Sequence, residues 1–437
     1  MDILYKIPDS WIWTTLNELF LIERGGSPRP IQQFLTDEVD GINWIKIGDT
    51  ELGQKYIETT KEKIKPEGLK KSRLVVDGDF ILSNSMSFGR PYIVKTTGAI
   101  HDGWLVFRDV DNNLDKDFFY YLLSSSYVYQ QFSRNASGST VRNLNIDIVK
   151  QTNISLPPLN EQKRIVAKIE KLFSNLDNSD KYLLHLEKQL KRYRQSVLKS
   201  AFDTSWDKKT LFSVTNKITD GEHFKPKTEE KGVYFLSAKD IRHNGVDLTN
   251  PLYISEELAE KALKRCNPEK NDILIVSRGA SVGRMCIVDI EELFCLLGSV
   301  ILIKPNKNSI DSKYLTYYLK SPEINRILVN SSGSTAQQAI YLRDIQKIEI
   351  LVPSLKKQKE VVLEIEKHFS IIDKLQIVVQ QSIKESKRLR QSILKQAFEG
   401  KLVDQDPNDE SASVLLEKIA KAKEEYQKAQ KKQVRKK

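Results

Sequence analysis

The 437-residue sequence is poor in cysteine and contains no long apolar run. Its three cysteines, Cys266, Cys286 and Cys295, form no C-x-x-C pair. We therefore expect reduced thiols in a cytoplasmic protein and no cysteine-based metal site. No run of about 18 apolar residues occurs, which argues against a transmembrane helix. The N-terminal stretch lacks a basic segment followed by an apolar one, so no secretory signal is expected.

The motifs of several enzyme classes are also missing. The sequence has no G-x-x-x-x-G-K-[ST] loop for nucleotide phosphates, and no G-x-S-x-G or H-x-x-x-H pattern. The stretch Pro157-Pro158-Leu159 has leucine where a methyltransferase loop would need Tyr or Phe. The five histidines are scattered, and an active site needs convergent partners. These absences make a self-contained enzyme with a cryptic site improbable.

The positive charge is concentrated at the C-terminal end. The net charge is +11, and the last 17 residues hold eight basic and two acidic side chains. A composition with 40% hydrophobic residues excludes wholesale disorder. The modest charge of the remaining chain is compatible with nucleic-acid binding but does not require it.

An internal repeat is the most informative feature of the sequence. Matching residues lie at a constant offset of 196, among them Pro157/Pro353, Gln162/Gln358, Ile169/Ile365, Phe173/Phe369 and Asp177/Asp373. RYRQSVLKSAF (192–202) matches RLRQSILKQAF (388–398), and DGDFILSNSMSFGR (77–90) corresponds more loosely to KNDILIVSRGASVGR (270–284). We therefore predict two pseudo-repeated units, each a globular block followed by a long helix.

The helical part of each repeat carries a heptad pattern. Apolar residues recur every 3.5 residues on average over 165–197 and again over 361–397. This spacing is typical of a coiled coil. Asn160 is the predicted N-cap of the first helix, and Gly400 is the predicted stop of the second.

We predict that these two helices pair in antiparallel orientation. One helix alone would expose its apolar stripe, and antiparallel pairing groups the polar seam residues Ser179, Ser382 and Ser386. His368, also in the seam, is interpreted as a packed or rim side chain. The arginines of RYR (192–194) and RLR (388–390) either contact a nucleic-acid backbone or form a solvated face, and we slightly favour the solvated face.

The globular blocks are predicted to be mixed α/β. Short β-rich runs lie between turn residues: WIKI (44–47), FILS (80–83), PYIV (91–94), WLVF (104–107), VYFL (233–236), ILIV (273–276) and SVILI (299–303). A helix is predicted over 115–132 and another over 312–329, the latter interrupted at Pro322. The predicted domains are 1–155 and 204–352 for the globular blocks, 156–203 and 353–402 for the long helices, and 403–437 for a basic helical tail.

Several stretches resemble the specificity subunit of type I restriction-modification systems. They are SGSTVRNLNIDIVKQTNISLPPLNEQKRIVAKIEKLF (137–173) with its later counterpart, DGEHFKP (220–226), NDILIVSRGASVGR (271–284) and EGKLVDQDPNDESASVLLEKIAKAK (399–423). The second copy departs from the pattern, with SLKKQKEVV in place of PLNEQKRIV. The resemblance covers essentially the whole chain. It implies two target recognition domains, each reading one half of a split DNA sequence, which the two helices hold apart.

The resemblance also implies the partners. These would be double-stranded DNA, two methyltransferase subunits and restriction (motor-nuclease) subunits, with no membrane. The chain itself would be a non-catalytic subunit without a bound cofactor, and S-adenosylmethionine, ATP and Mg are expected on the partner subunits. A different hypothesis stays open, namely a structural coiled-coil adaptor whose globular ends bind proteins.

Base recognition requires donors and acceptors on exposed loops. Three pairs of loops qualify: GGSPRP (25–30) with DGEHFKP (220–226), SNSMSFGRP (83–91) with SRGASVGR (277–284), and RNASGSTVRN (134–143) with NSSGSTAQQ (330–338). The predicted DNA-contacting residues are Ser27, Arg29, Ser85, Arg90, Arg142, His223, Lys225, Arg278, Ser281, Arg284 and Gln337. Arg90 and Arg284 are preferred, because each follows a glycine in corresponding loops. For any single residue, the alternative is an ordinary turn with a solvated side chain.

Overall fold

The chain packs as two compact units. A computed structural model describes residues 5–51, 53–84, 88–135, 144–224, 226–330 and 339–435. The first unit comprises Met1–Lys181 and Ser382–Lys437, and the second comprises Tyr182–Gln381. Each unit therefore contains one globular block and a part of both long helices.

The first unit is built around two sheets. Its strands are β1 (Ile12–Thr15), β2 (Leu21–Arg24), β3 (Leu35–Thr36), β4 (Ile42–Ile45), β5 (Tyr56–Ile57), β6 (Glu62–Ile64), β7 (Arg73–Val75), β8 (Phe80–Ser83), β9 (Pro91–Val94), β10 (Gly98–Ile100), β11 (Trp104–Arg108) and β12 (Asn153–Leu156). Among the described residues, one sheet has the order β2-β11-β8-β9-β5, the other has the order β3-β6-β4-β10-β7, and β1 pairs with β12.

The second unit repeats this topology. Its strands are β13 (Lys208–Thr210), β14 (Thr215–Asp220), β15 (Val233–Leu236), β16 (Ile241–Arg242), β17 (Gly245–Val246), β18 (Leu252–Ile254), β19 (Ile273–Val276), β20 (Met285–Ile287), β21 (Phe294–Leu296), β22 (Val300–Pro305) and β23 (Glu349–Leu351). The order β14-β22-β19-β20 matches β2-β11-β8-β9, and β13-β23 matches β1-β12. The parallel pair β15-β21 likewise matches β4-β10. The predicted mixed α/β repeat is thus confirmed.

The helices surround these sheets. They are α1 (Leu16–Leu19), α2 (Lys116–Leu123), α3 (Ser126–Asn135), α4 (Ile146–Lys150), α5 (Leu159–Ala201), α6 (Glu256–Arg265), α7 (Ser312–Lys320), α8 (Pro322–Asn330), α9 (Leu342–Ile345), α10 (Leu355–Phe398) and α11 (Ala412–Arg435). The break at Pro322 is confirmed. The single helix predicted over 115–132 was wrong, because the chain leaves the helix after Leu123 and re-enters it at Ser126.

The central strand of each unit is buried on both faces. In β8, Phe80 and Leu82 face one apolar cluster, whereas Ile81 faces another. In β19, Ile273 and Ile275 likewise belong to a different cluster from Leu274. Since successive side chains of a strand point to opposite faces, both sheets lie between two apolar layers. This explains why both strands appear in the sequence as continuous apolar runs.

The long helices run antiparallel, as predicted. In the first unit, Ser155, just before α5, donates its hydroxyl to the carbonyl of Phe398 at the end of α10 (2.7 Å). Further along α5, Asp177 accepts from Arg390, an earlier residue of α10 (2.8 Å). Asn160 is not the N-cap, because α5 already begins at Leu159 and places Asn160 in its first turn.

The arginines at the third position of RYR and RLR contact the neighbouring helix within their own unit. Arg390 pairs with Asp177 and lies 5.3 Å from the centre of the Phe173 ring. Arg194 pairs with Asp373, and its guanidinium lies 4.3 Å from the Phe369 ring centre. The preferred interpretation of a solvated face was therefore wrong for Arg194 and Arg390. Each side chain combines an ion pair with a cation–π contact.

A buried glutamine joins each long helix to its globular block. Gln162 accepts from the backbone N–H of Asp115 and donates to the carbonyl of Pro157, both at 3.0 Å. At the equivalent position, Gln358 accepts from the N–H of Asp311 (2.8 Å) and donates to the carbonyls of Pro353 (2.8 Å) and Ser309 (3.0 Å). Both glutamines are 0% exposed. The repeat thus preserves this connection although the helix starts differ in sequence.

The C-terminal segment folds back onto the first unit. Lys423 of α11 donates to the carbonyls of Asn17, Glu18 and Phe20 at distances from 2.5 to 3.2 Å. These carbonyls lie at the end of α1, where a helix leaves acceptors unpaired and favours a cation. Arg164 of α5 also pairs with Asp409 (2.7 Å). The basic tail is therefore partly a structural element of the first unit.

Candidate nucleic-acid interface

In the first unit, the predicted loops come together at one edge of a sheet. Strands β2 and β8 both run antiparallel to their shared neighbour β11. Their C-terminal ends therefore lie beside the N-terminal end of β11. The segments after Arg24 and after Ser83 consequently meet the segment that precedes Trp104.

Asp102 lies at the centre of this meeting point. The hydroxyl of Ser27 donates to its carboxylate (2.6 Å), and the amide of Asn84 donates to its backbone carbonyl (3.0 Å). The N–H of Leu144, where the third predicted loop rejoins the described chain, donates to the carbonyl of Asn84 (2.7 Å). The ends of all three loops thus meet around Asp102, the first two by direct bonds and the third through Asn84.

The charges at this edge are mixed. Arg29 is exposed, with 82% of its side chain accessible, and its guanidinium lies 3.6 Å from the Asp102 carboxylate. The hydrogen bond from Ser27 is the main reason that the pKa of Asp102 falls below its ordinary value. Burial lowers the pKa of the neighbouring His101, which favours its neutral form. The edge therefore offers an exposed cation beside an ionised acceptor.

Arg90 follows a turn at Phe88 and Gly89 that precedes β9. Gly89 has a φ of +73°, a backbone conformation that favours glycine, and its N–H donates to the carbonyl of Ser83 (2.8 Å). Arg90 is exposed just beyond this turn. Ser85, predicted in this loop (83–91), and Arg142, predicted in the third loop (134–143), lie outside the described residues.

In the second unit, backbone hydrogen bonds bring the equivalent loop ends together. The N–H of Ser277, equivalent to Asn84, donates to the carbonyl of Ser299, and the N–H of Ile340 donates to the carbonyl of Ser277, both at 2.8 Å. The N–H of Gly298, equivalent to Asp102, donates to the carbonyl of Glu222 (2.7 Å). The three loop ends therefore meet here as well.

The side chains at this second edge differ from those at the first. His223, equivalent to Ser27, lies 3.1 Å from the Asp220 carboxylate and 2.9 Å from the Arg265 guanidinium, which itself donates to Asp220 (2.6 Å). Arg278 is exposed on a cavity of about 410 Å³ that Tyr341 and Arg343 also line. This edge therefore combines basic and aromatic groups with the Asp220 carboxylate.

Arg284 does not behave like its counterpart Arg90. Its guanidinium donates to the carbonyl of Ala238 (2.7 Å) and to the hydroxyl of Ser281 (2.9 Å). The structure thus brings Arg284 and Ser281 together but directs the arginine toward its own domain. Lys225 and Gln337 lie outside the described residues.

Sequence reasoning missed Asp102, Asn84, Arg265 and Arg343. Asn84 had a detectable signal, since it directly follows the FILS strand at the loop that was already singled out. Asp102 and Arg265 had none, because their partners at the edge are distant in the sequence.

In the described part of the chain, no group of three or more His, Cys, Asp or Glu side chains could hold a metal ion. The three cysteines are free and buried, and burial raises the pKa of Cys266 and Cys286 to about 12. None of the helices in the described ranges is long and apolar enough to cross a bilayer.

A duplicated α/β block with polar loops at the same edge of each copy, combined with two long paired helices, defines a protein with two recognition domains. Residues 8–188 and 204–384 each match the family of the type I restriction modification DNA specificity domain. The chain belongs to this family, and the resemblance found in the sequence is confirmed.

Similar proteins cover nearly the whole chain. It is 28% identical to the type I restriction enzyme EcoBI specificity subunit of Escherichia coli, over 95% of this chain and 93% of that protein. It is 26% identical to the putative type I restriction enzyme MjaX specificity subunit of Methanocaldococcus jannaschii, over 91% and 95% of the two chains.

Solved structures share the fold. The HsdS subunit from Thermoanaerobacter tengcongensis is 22% identical with a TM-score of 0.56, over 91% of this chain and 98% of that one. A chain from a structural study of type I R-M complex assembly and conformational transition is 23% identical with a TM-score of 0.72, over 91% and 100%.

Proposed function

We propose that this chain is the non-catalytic subunit that reads a bipartite DNA target for a type I restriction-modification complex. The observation that carries the proposal is the duplicated edge at which three loop ends meet in each unit. The scaffold of the two edges is the same, whereas Ser27 and Asp102 in one are replaced by His223 and Gly298 in the other. Equal scaffolds with unequal side chains suit two different half-sites.

The proposed partners are two methyltransferase subunits and restriction subunits, acting on double-stranded DNA in the cytoplasm. Exposed apolar side chains on α10 in the second unit support a protein partner. Ile371, Leu375 and Val378 are 51%, 42% and 58% exposed and recur at the spacing of one helix face. S-adenosylmethionine, ATP and Mg would be bound by those partners, and their chemistry would be supplied there.

The proposed DNA contacts are the loop residues already named. Arg29, Arg90 and Arg278 are exposed at the two edges and have the guanidinium geometry that suits guanine or phosphate. Arg284 would first have to leave its bonds to Ala238 and Ser281.

The test is to purify the chain with its methyltransferase subunits and to map methylated adenines on genomic DNA. We expect one two-part motif. Replacing a base-reading arginine, as in Arg278→Ala, should relax one position of one half-site and cost about 1–3 kcal/mol of binding. Lys307→Ala is the matched control, since Lys307 is exposed beyond the opposite end of β22. A complex that binds and methylates without sequence preference would instead favour the adaptor hypothesis.

A further inference from the structure

Three side chains hold Asp102 in place. Ser27 donates to the side chain, while Arg24 (3.1 Å) and Asn84 (3.0 Å) both donate to the backbone carbonyl. Two side chains thus fix the backbone and a third fixes the carboxylate. Such pre-organisation is what a recognition group needs, since little conformational freedom is lost when a partner binds.

This carboxylate still has free capacity to accept hydrogen bonds. The Asp102 side chain is 45% exposed, and Ser27 occupies only one of its two oxygens. An ionised carboxylate has about four acceptor positions. The nearest cation, Arg29, lies 3.6 Å away and is itself largely exposed, so it does not shield the carboxylate from a ligand.

An ionised carboxylate at a DNA-binding edge restricts what it can contact. It repels phosphate and cannot pair with the acceptor atoms of guanine or thymine. In the major groove, the base-edge amines that it can meet are cytosine N4 and adenine N6, whereas the minor groove offers only the guanine N2 amine.

The second unit shows that the scaffold does not require this carboxylate. Its equivalent is Gly298, whose N–H is bonded to the carbonyl of Glu222 (2.7 Å) while the same three loop ends still meet. A side chain at Gly298 would place its Cβ 3.0 Å from the His223 ring. The position therefore varies in chemistry while the surrounding backbone is preserved, as expected for a residue that determines specificity.

We propose that Asp102 is a specificity-determining residue of the first unit, whose carboxylate accepts a hydrogen bond in the major groove from an exocyclic amine on a base edge, that of cytosine or adenine. This inference rests on the proposed function, because it requires the first unit to bind DNA.

The experiment measures binding of the complex with methyltransferase subunits to a library of duplexes that vary one half-site at a time. For Asp102→Ala we expect cognate affinity to fall about 5- to 150-fold and one position of one half-site to accept additional bases. The base required there by the wild type, cytosine or adenine, identifies the amine. Asp102→Asn keeps an acceptor for Ser27 but adds donors, so it should fold normally and still lose discrimination at that position.

A matched control separates base recognition from a general change of surface charge. Asp77 is an exposed residue just before the N-terminal end of β8, at the other end of this strand from Asn84. Asp77→Ala removes its carboxylate and should change neither the DNA motif nor the affinity for DNA. If both Asp102 variants weaken all duplexes by the same factor with an unchanged motif, or change nothing, the inference is overturned. If the wild-type complex has no sequence preference, the proposed function fails instead.

Discussion

Replacing Gln358 with leucine is expected to lower the free energy of unfolding of the second unit by about 3–5 kcal/mol. The substitution removes three hydrogen bonds, one from the N–H of Asp311 and two to the carbonyls of Ser309 and Pro353. Each backbone group left unpaired in a buried position costs about 1–3 kcal/mol, and the similar volume of leucine offsets part of this loss. Hydrogen exchange is the suitable assay, since a chain with two units need not unfold in one step.

Exchange of the Asp311 amide should accelerate in Gln358→Leu, about tenfold for every 1.4 kcal/mol lost locally. Gln162→Leu should have a smaller effect in the first unit, because Gln162 makes two such bonds in place of three. The matched control is Gln380→Leu, the same change at an exposed position of α10, which should alter stability by at most about 0.5 kcal/mol. Unchanged exchange at Asp311 would refute the role of Gln358 as the connection between helix and globular block.

Three other substitutions test the helix pair and a buried turn. Arg390→Met removes the ion pair with Asp177 and the contact with the Phe173 ring, so it should lower the free energy of unfolding, measured by urea denaturation, by about 1–2 kcal/mol. Arg388→Met, the same change at an exposed position, should not lower it, and equal effects of the two substitutions would contradict this role of Arg390. The buried Ser386 hydroxyl has no hydrogen-bond partner within the described ranges, so Ser386→Ala should stabilise the first unit by about 1 kcal/mol, and a lower Tm would argue against it. Burial raises the pKa of Asp109 from 3.8 to about 6, so its ionisation opposes folding and stability is lost as pH rises through that range. Asparagine has one oxygen for the two N–H groups, of Asn113 and Leu114, that the carboxylate accepts, so the change between two pH values is the quantity to compare. The stability of Asp109→Asn relative to the wild type should rise by at most about 3 kcal/mol from pH 4 to pH 7, as denaturation at the two pH values would show; an equal difference at both would contradict the assignment.

Much of the architecture could be predicted because it depends on local patterns. FILS, PYIV, VYFL and ILIV match β8, β9, β15 and β19 residue for residue, since apolar runs between turns favour buried strands. Gly400 follows the end of α10 with a φ of +70°, as a C-terminal stop requires.

The prediction failed where the outcome depended on contacts between distant residues. Nothing in the local pattern around RYR and RLR distinguishes a solvated arginine from one that pairs across to another helix. The opposite long helix decides whether each arginine faces solvent. For Arg194, α10 supplies Asp373 and Phe369. For Arg390, α5 supplies Asp177 and Phe173.

The sequence by itself determined the repeat, the strand and helix types and the loops that carry the polar side chains, because periodicity and turn chemistry act over a few residues. Only the tertiary structure decided that those loops converge on Asp102 in one unit and on Gly298 in the other, and that Arg284 folds back while Arg90 stays exposed. The physical reason is that antiparallel pairing of β2 and β8 with β11, and of β14 and β19 with β22, brings together segments separated by tens of residues. Their mutual distances are properties of the sheet and cannot be obtained from any single segment.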